Sequence, residues 1–443
     1  MAHKPQKLKG FRDYLPGQAQ KRRDIMNHVL DLAEDCGFCP IDTPVLEYAK
    51  TLLGSGGGDT DKEVYLFKDH GDRDIGLRFD LTVPFARYVA ENYSQLVMPF
   101  KKVQVGLAWR GEKPQKGRYR EFCQGDLDIV GADSMAADAE ILLALRRILA
   151  NFLPGGFTQL VGQRQVLSGL LQHFLGDLNP ESEAKALIIL DKLAKIGEAK
   201  VVGLLAESWD QGGATDLVAL LAQRDQVDWS VITNLFKGRG EMEAHLSRFQ
   251  DTIALVNESA PAESGKTMMD LSIARGLNYY TGIVFETFVE GLPKFGSVSS
   301  GGRYNGLVSE FINMELPGVG GSIGVDRLLA AIEELGIEGE EPRRGVYIAV
   351  AGEEAFPYGF KLCQTLRQAG LMCDINVKPG KLGNQFKFAD RRHYRFVVTL
   401  GSQEVENQTI SLKDLGTGVD QKDVSAQGLA DILISKQNDS AYG

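Results

Sequence analysis

A polar pattern in the middle of the chain has the side chains needed to hold a charged ligand. Gln124, Asp126 and Asp128 alternate with apolar residues, and an upstream alternating run ends at Arg110. Alternate residues of a β-strand project from one face, so both runs predict strands with one polar face. An unpaired Asp or Arg is costly to bury, so these groups lie in water, pair with each other or contact a ligand. The alternation leaves a solvated outer face and a binding surface equally open.

The elements that position these residues can be predicted from the surrounding pattern. Two alternating runs, residues 101–110 and 121–130, predict a long hairpin joined by the polar sequence GEKPQKGRY. A shorter hairpin is predicted within residues 63–84. Residues 17–36 have apolar residues at helical spacing and are followed by Gly37, which predicts an amphipathic helix.

The chain divides into one large domain and one smaller domain. We place the first domain at residues 1–332, with a helical insertion at about 166–259, after which strands return at 270–287. Residues 333–345 are charged and glycine-punctuated, and we interpret them as a linker. Residues 346–443 form the second domain, in which runs such as VYIAVAG and FVVTLG alternate with helical patterns as β-α-β-α-β, and which ends in a frayed tail after about residue 430.

Composition excludes several classes of protein. The chain has 443 residues, of which 43% are hydrophobic and 24% charged, as in soluble globular proteins of more than one domain. It has no apolar run of membrane-spanning length and no secretory signal, so we expect a cytoplasmic location and no membrane partner. A net charge of −10 argues against bulk coating of DNA or RNA, so an RNA partner needs local basic patches. The spacing of the five cysteines predicts neither a disulfide framework nor a zinc site, and we predict no metal held by the protein.

The long hairpin, FKKVQVGLAWRGEKPQKGRYREFCQGDLDIVG, resembles motif 2 of class II aminoacyl-tRNA synthetases in the form carried by histidyl-tRNA synthetases. The resemblance implies that Arg110 stabilises the negative charge that develops on the α-phosphate of ATP during adenylate formation. It further implies that Glu112 and Arg118 bind ATP, that Gln124, Asp128 and Arg110 contact histidine, and that Gln115 contacts tRNA. Residues 36–44 fit the place of motif 1, which implies a homodimer.

The segment DLSIARGLNYYTGIVFET, residues 270–287, is similar to one that is peculiar to histidyl-tRNA synthetases. The resemblance makes Arg275 a second catalytic arginine that also contacts histidine, and Tyr279 and Tyr280 histidine-binding residues. A neutral imidazole has one donor and one acceptor nitrogen, which a carboxylate and a phenol can satisfy. Asn278 departs from the family, whose members usually have Asp there, and the change removes one negative charge beside the pocket.

Three further segments resemble the same family. In FDLTVPFARY, residues 79–88, Asp80 and Thr82 correspond to positions that bind the α-amino group, although either residue could instead cap the next helix. GVGGSIGVDRLL resembles motif 3, and its Arg327 would bind ATP at the adenine or the γ-phosphate. SVSSGGRYNGL resembles the family's glycine-rich strand and loop. The chain contains no P-loop sequence.

The second domain resembles the anticodon-binding domain of class IIa synthetases. Lys387, Arg391 and Arg392 belong to a basic run interleaved with aromatic residues, a composition that suits phosphates and splayed bases. The run by itself is also what an ordinary charged helix face would show. The resemblance favours contact with tRNA.

Taken together, the resemblances imply an α+β class II catalytic domain with an antiparallel sheet flanked by helices and a helical insertion, followed by an α/β anticodon-binding domain. They imply an enzyme that joins L-histidine to tRNA(His), using ATP with Mg²⁺. One alternative is a non-catalytic paralogue, either the regulatory subunit of ATP phosphoribosyltransferase or a sensor of histidine or tRNA. Another is a class IIa synthetase for glycine, threonine or proline, against which the RGLNYYTG segment argues.

Overall fold

The computed structural model divides the chain into two compact units, residues 1–337 and 338–443. It describes residues 4–53, 60–261, 265–273, 280–337, 343–378 and 380–438. The point of division lies inside the predicted linker, residues 333–345. Each unit has its own apolar core and is described separately below.

The strands of the first unit form one large and one small sheet. In chain order they are β1 (Cys39–Pro40), β2 (Leu46–Tyr48), β3 (Leu66–Lys68), β4 (Asp74–Leu77), β5 (Phe100–Trp109), β6 (Glu121–Val130), β7 (Phe157–Gln163), β8 (Lys266–Met269), β9 (Ile283–Val289), β10 (Ser299–Arg303) and β11 (Gly318–Gly324). The large sheet has the order β1-β5-β6-β11-β10-β9-β7-β8, and the small sheet has the order β2-β4-β3. Among the described pairings of the large sheet, those at the two edges, β1 with β5 and β7 with β8, are parallel, and the others are antiparallel. The predicted antiparallel sheet and both predicted hairpins are confirmed.

Helices flank the large sheet and fill the segment between β7 and β8. They are α1 (Pro16–Asp35), α2 (Ala49–Leu52), α3 (Thr82–Asn92), α4 (Met135–Ala150), α5 (Arg164–Leu175), α6 (Pro180–Leu190), α7 (Leu193–Ile196), α8 (Glu198–Ala206), α9 (Gln211–Ala222), α10 (Trp229–Phe236), α11 (Glu241–Ser259) and α12 (Val325–Leu335). The run α5 to α11 occupies the region predicted to be a helical insertion. No helix in the described part of the chain is long and apolar enough to cross a bilayer.

The hairpin strands β5 and β6 have one apolar and one polar face, as their alternation predicts. The apolar face packs against α1, whose buried side chains include Ile25 and Val29. A Cβ atom on Gly125 would lie 2.7 Å from Val29 Cγ1, so glycine at this position lets the helix approach the strand closely. The helix therefore supports the middle of β6 from behind and leaves its polar face open.

The second unit is a five-stranded sheet covered by helices. Its strands are β12 (Val346–Val350), β13 (Cys373–Ile375), β14 (Phe396–Leu400), β15 (Thr409–Asp414) and β16 (Asp420–Ser425), and its helices are α13 (Phe356–Gln368), α14 (Leu382–Arg391), α15 (Ser402–Asn407) and α16 (Leu429–Asn438). The three predicted strands pair in parallel, which confirms the β-α-β-α-β pattern. The antiparallel strands β15 and β16 extend that sheet.

Two local predictions are wrong. Strands were expected from Asp270 onward, but β8 ends at Met269 because the Asp270 carboxylate accepts hydrogen bonds from the backbone N–H and hydroxyl of Ser272, at 2.8 and 2.6 Å, and turns the chain. A frayed tail was expected after residue 430, but the described part of it, up to residue 438, belongs to helix α16. Leu429 and Leu433, four residues apart, bury their side chains in the core of the second unit, and this packing orders the helix.

Candidate active site

The polar face of β6 forms the floor of the site. Gln124, Asp126 and Asp128 project from this face, and the pairing with β11 sets Gly320 beside Asp128 and Ser322 beside Asp126. A Cβ atom at position 320 would overlap the Asp128 carboxylate. Glycine at position 320 therefore makes room for the Asp128 side chain on the polar face.

Asp128 lies at the centre of a buried group that contains one ion pair and one hydrogen bond. Its Oδ2 atom is 2.7 Å from Lys102 Nζ, and the Tyr304 hydroxyl donates to its Oδ1 atom at 2.6 Å. The Lys102 side chain has no exposed surface, and that of Asp128 is only 2% exposed. Burial, together with the charge of Asp128, raises the pKa of Tyr304 well above its usual value, so this hydroxyl keeps its proton. The charge of Asp128 is therefore paired with Lys102, and the Tyr304 hydroxyl is a fixed donor to it.

Lys102 and Tyr304 were not among the residues predicted to form the site. Lys102 stands directly opposite Asp128 in the β5–β6 pairing, so the predicted hairpin contained the signal for it. Tyr304 follows β10 and reaches Asp128 across β11, a contact between residues 176 positions apart that no local pattern indicates. Tyr280, which was predicted to contact histidine, lies close to β10, because a Cβ atom on Gly302 in that strand would lie 2.8 Å from Tyr280 Cδ1.

Asp80 serves as a helix cap and also presents an unused oxygen. Its Oδ1 atom accepts from the backbone N–H of Val83 at 3.0 Å, which is the capping role left open by the sequence. Its Oδ2 atom is buried and makes no hydrogen bond within the described ranges. Burial raises the pKa of Asp80 to about 6, against the lowering effects of the Val83 hydrogen bond and the positive charge of Arg110. A ligand that brings a cation to Oδ2 would relieve this cost. Thr82 is the first residue of α3, two positions beyond Asp80.

Two more acceptors on the floor lack donors. The Gln124 Nε2 atom donates to the Ser322 hydroxyl at 2.7 Å, whereas Gln124 Oε1 and Asp126 Oδ1 are buried without a hydrogen-bond partner from the residues that the structure describes. Burial raises the pKa of Asp126 to about 7, against the lowering effect of Lys102. Unpaired buried acceptors are costly, so this surface is suited to a ligand rich in N–H donors.

A cleft of about 140 Å³ adjoins the floor at Gln124 and contains the four residues predicted to bind ATP, which are Arg110, Glu112, Arg118 and Arg327. Arg110 Nε donates to the carbonyl of Phe79 at 2.9 Å, which aims the guanidinium across the cleft. Arg118 pairs with Glu112 at 3.3 Å, and Arg327 donates to the carbonyl of Ser297 at 2.6 Å.

Positive side chains outnumber negative ones in the lining of the cleft, with three arginines against Glu112 and Asp326. Burial, together with the positive charges of Arg118 and Arg110, lowers the pKa of Arg327 to about 10, against the raising effect of Glu112. A buried guanidinium with two other guanidiniums nearby is stabilised by a polyanion. The arrangement can therefore bind and polarise a phosphate chain. Among the described residues, no cluster of His, Cys, Asp and Glu could hold a metal ion by itself.

Asp326 forms an anchor beside this cleft that the sequence analysis did not predict. It is 2% exposed and accepts hydrogen bonds from Arg12 at 3.0 Å, from Arg22 at 2.9 Å, from the backbone N–H of Cys123 at 2.6 Å and from the Tyr14 hydroxyl. Asp326 precedes Arg327, so the anchor fixes the start of α12 against β6.

The remaining predicted residues lie elsewhere or outside the described part of the chain. Arg275, Asn278 and Tyr279 fall within residues 274–279, which are not described. Gln115 exchanges backbone hydrogen bonds with Arg118 at 3.0 and 2.9 Å in the loop between β5 and β6, close to the cleft.

The predicted tRNA-binding residues of the second unit, Lys387, Arg391 and Arg392, are exposed on α14 and just beyond its end. Phe388 is also exposed and lies 5.3 Å from the ring of Tyr347. Tyr394 is buried, and its hydroxyl donates to Asp374 at 2.8 Å. The aromatic member of this surface that is available for stacking is therefore Phe388.

Comparison with known families agrees with this geometry. A family model described as histidyl-tRNA synthetase matches residues 10–328, and one described as an anticodon-binding domain matches residues 345–436. The chain belongs to the histidyl-tRNA synthetase family. It is 38% identical over 441 residues to the histidine–tRNA ligase of Rhodopirellula baltica, covering 97% of this chain and 98% of the relative. It is 37% identical over 447 residues to that of Treponema denticola, covering 98% of each.

Solved structures show the same fold. The histidyl-tRNA synthetase of Nostoc sp. PCC 7120 superposes with a TM-score of 0.85 at 31% identity, covering 98% of this chain and all of that one. A Bacillus halodurans protein described as an ATP phosphoribosyltransferase regulatory subunit/histidyl-tRNA synthetase superposes with a TM-score of 0.74 at 20% identity, covering 89% of this chain and 99% of that one. The second likeness shows the fold alone. Membership of the family confirms the predicted α+β class II architecture with its anticodon-binding domain.

Proposed function

We propose that this chain is a histidine–tRNA ligase, which activates L-histidine with ATP and transfers it to the 3′ end of tRNA(His). The observation that carries the proposal is the meeting of two features at Gln124: a cationic cleft that contains Arg110 and a buried floor with unpaired acceptors. The first suits a triphosphate, and the second suits an amino acid with several N–H groups. The family relationship supports both assignments.

In the first step a carboxylate oxygen of histidine attacks the α-phosphorus of ATP, a new P–O bond forms, and pyrophosphate leaves. Arg110, held by the carbonyl of Phe79, stabilises the charge on the phosphoryl oxygens, and Arg275 is assigned the opposite side by its resemblance to the family. Glu112, Arg118 and Arg327 hold the nucleotide. Mg²⁺ arrives with ATP as part of the substrate.

Histidine is proposed to bind on the floor by complementary hydrogen bonds. Its ammonium group donates to Asp80 Oδ2 and to Thr82, which relieves the buried carboxylate. Its imidazole donates to Asp128 and accepts from Tyr280, while Gln124 and Tyr279 complete the contacts. The bonds from Lys102 and Tyr304 leave lone pairs on the Asp128 oxygens, so Asp128 can accept a further N–H.

In the second step a ribose hydroxyl at the 3′ end of tRNA attacks the carbonyl carbon of the adenylate, and AMP leaves. The tRNA is proposed to contact Gln115 near the cleft and Lys387, Arg391 and Arg392 in the second unit. The exposed cations and the ring of Phe388 support contact with phosphates and unstacked bases.

A homodimer in the cytoplasm is also proposed. On the small sheet, Leu46, Tyr48 and Phe67 expose large apolar side chains, and the strand pairing places Tyr48 and Phe67 on the same face, on either side of Ile75. Apolar side chains exposed side by side are typical of a surface that is covered by a partner. The partner that we assign is a second copy of this chain, because motif 1 of this class lies at the subunit interface.

The test is ATP–pyrophosphate exchange by the full chain with each amino acid in turn. We expect exchange with histidine alone, and Arg110→Ala should reduce it by a factor of about 100 or more because a preorganised group that stabilises transition-state charge is lost. Arg239→Ala is the matched control, since this arginine is exposed, lies in the helical insertion and contacts the exposed His173 at 3.3 Å. Exchange with no amino acid by a folded protein that binds histidine would support the non-catalytic paralogue instead, and exchange with glycine, threonine or proline would support another class IIa synthetase.

A further inference from the structure

The amino-terminal segment, residues 8–14, packs directly on the hairpin loop, residues 110–120, that forms one wall of the cationic cleft. The backbone N–H of Arg120 donates to the carbonyl of Gly10 at 2.9 Å, and the Arg120 guanidinium donates to the carbonyl of Lys9 at 3.3 Å. The carbonyl of Arg120 in turn accepts from the backbone N–H of Arg110 at 2.9 Å. Arg120 of the hairpin loop is therefore hydrogen-bonded both to the amino-terminal segment and to Arg110.

The contact requires glycine at position 10. Gly10 has a φ of +91°, a conformation that residues with a Cβ atom rarely adopt. A Cβ atom there would also lie 2.8 Å from Arg120 Cγ and 2.9 Å from Pro114 Cγ. The segment and the hairpin loop are thus in close contact at a position that permits little adjustment.

Arg12 connects the two walls of the cleft. Its guanidinium carbon lies 3.6 Å from the ring centroid of Tyr119, a cleft residue on the hairpin loop. The same guanidinium donates to Asp326 Oδ1 at 3.0 Å, at the start of α12. A planar guanidinium suits this double role because it can stack on a ring with its face while it donates from its edge.

The Asp326 end of this connection determines where Arg327 lies. Asp326 is buried, and its remaining bonds come from Arg22, Tyr14 and the backbone of Cys123, so its position is set by several segments at once. Arg327, the next residue, reaches into the cleft and donates to the carbonyl of Ser297. A shift of Asp326 would therefore move a guanidinium that is assigned to ATP.

We propose that Arg12 is a positioning residue for ATP binding, which holds the hairpin loop and the start of α12 at the separation that the nucleotide requires. The inference rests on the assignment of the cationic cleft to ATP in the proposed function. Arg12 itself does not line the cleft. Its effect should therefore fall on the affinity for ATP much more than on the affinity for histidine. Asp326 contacts the floor strand at the backbone of Cys123, whereas Asp128 is held by Lys102 and Tyr304.

The experiment compares Arg12→Ala, Arg12→Lys and Lys7→Ala with the unmodified full chain. Each protein is assayed for the KM of ATP and the KM of histidine in pyrophosphate exchange, and its melting temperature is measured. Arg12→Lys keeps the charge for Asp326 but loses the planar face on Tyr119. Lys7→Ala is the control just outside the segment, because Lys7 is 60% exposed and pairs at 3.4 Å with Asp13, which is also exposed.

We expect Arg12→Ala to raise the KM of ATP roughly tenfold, since small displacements of binding groups have effects of this size or larger. The KM of histidine should stay within about twofold of its original value on the same argument, Arg12→Lys should be intermediate, and Lys7→Ala should match the unmodified chain. An unchanged KM of ATP in Arg12→Ala would refute the inference, as would equal rises in both KM values accompanied by a lower melting temperature. If Arg12→Ala does not fold, Arg12→Lys decides on the same two KM values. Absence of exchange by the unmodified chain would refute the proposed function itself.

Discussion

Replacing Lys102 by methionine should destabilise the first unit far more than removing any exposed cation. The Lys102 ammonium is completely buried and lies 2.7 Å from an Asp128 oxygen, and it also donates to the carbonyl of Asp126 at 3.3 Å. Methionine has nearly the same length and fills the same space, so the change removes charge without leaving a large cavity. What remains is a buried Asp128 carboxylate whose nearest compensation is the hydroxyl of Tyr304.

The expected magnitude follows from this uncompensated charge. Removing one partner of a buried ion pair typically costs about 3–5 kcal/mol, because the other charge stays in a medium that solvates it poorly. Removing both charges costs much less, since neither group then has to be desolvated as an ion. The double variant Lys102→Met/Asp128→Asn should therefore lose less than half as much free energy of unfolding as Lys102→Met alone.

Lys101→Met provides a matched control at the next position in the chain. Lys101 points to the other face of β5, where its ammonium lies 2.5 Å from Glu140, and both side chains are partly exposed, by 28% and 37%. Solvent screens such a pair, so its loss should cost about 1 kcal/mol or less. The two neighbouring lysines thus differ mainly in burial.

The assay is urea unfolding followed by tryptophan fluorescence. All three tryptophans, Trp109, Trp209 and Trp229, lie within residues 1–337, so the signal reports on the first unit even if the second unfolds separately. Equal losses of stability in Lys102→Met and Lys101→Met would refute the reasoning. So would a double variant that is no more stable than Lys102→Met, since the cost would then come from packing rather than from an unpaired charge.

Two further predictions concern the floor of the site. Burial raises the pKa of Asp126 from 3.8 to about 7, so the folded chain holds this proton more tightly than the unfolded chain, and the free energy of unfolding falls by up to about 1.4 kcal/mol per pH unit across that range. Asp126→Asn should therefore have a higher melting temperature than the unmodified chain at pH 8, and the difference should be much smaller at pH 5. An identical difference at both pH values would contradict this. Gly320→Ala should raise the KM of histidine about tenfold or more, because its methyl group overlaps the Asp128 carboxylate, and should leave the KM of ATP unchanged. The control is Gly203→Ala in α8, where a Cβ atom meets nothing within 4 Å, and an equal effect of the two substitutions on histidine would refute the steric argument.

The fold could be predicted wherever the hydrophobic period was long and uninterrupted. The alternation over residues 101–110 and 121–130 identified β5 and β6 and the face that carries Gln124, Asp126 and Asp128. The helical spacing before Gly37 identified α1. The prediction of secondary structure was wrong where a single side chain ends a strand. Asp270 ends β8 by bonding to Ser272, and an alternation pattern does not register such a turn.

The candidate site was predicted less completely because its contacts cross the sequence. Arg110, Glu112, Arg118 and Arg327 were identified through motifs, and the structure brings all four together in one cleft. The residues that hold these groups in place were missed. The bond from Arg12 to Asp326 joins positions 314 apart, and the bond from Tyr304 to Asp128 joins positions 176 apart. Neither bond has a signature in the spacing of neighbouring residues.

The floor of the site carries more negative than positive charge. Three carboxylates, Asp80, Asp126 and Asp128, lie close enough to influence one another, and Lys102 is paired with only one of them. Each of the three has one buried oxygen without a hydrogen-bond partner in the described part of the chain, and that of Asp128 has the ion pair with Lys102 instead. A second protein cation would neutralise the other two, but it would also occupy the space and the acceptors that a cationic substrate needs. The raised pKa values of Asp80 and Asp126 are therefore the cost of leaving those acceptors open, and in the proposed binding mode the ammonium group of histidine would supply the donor that Asp80 lacks.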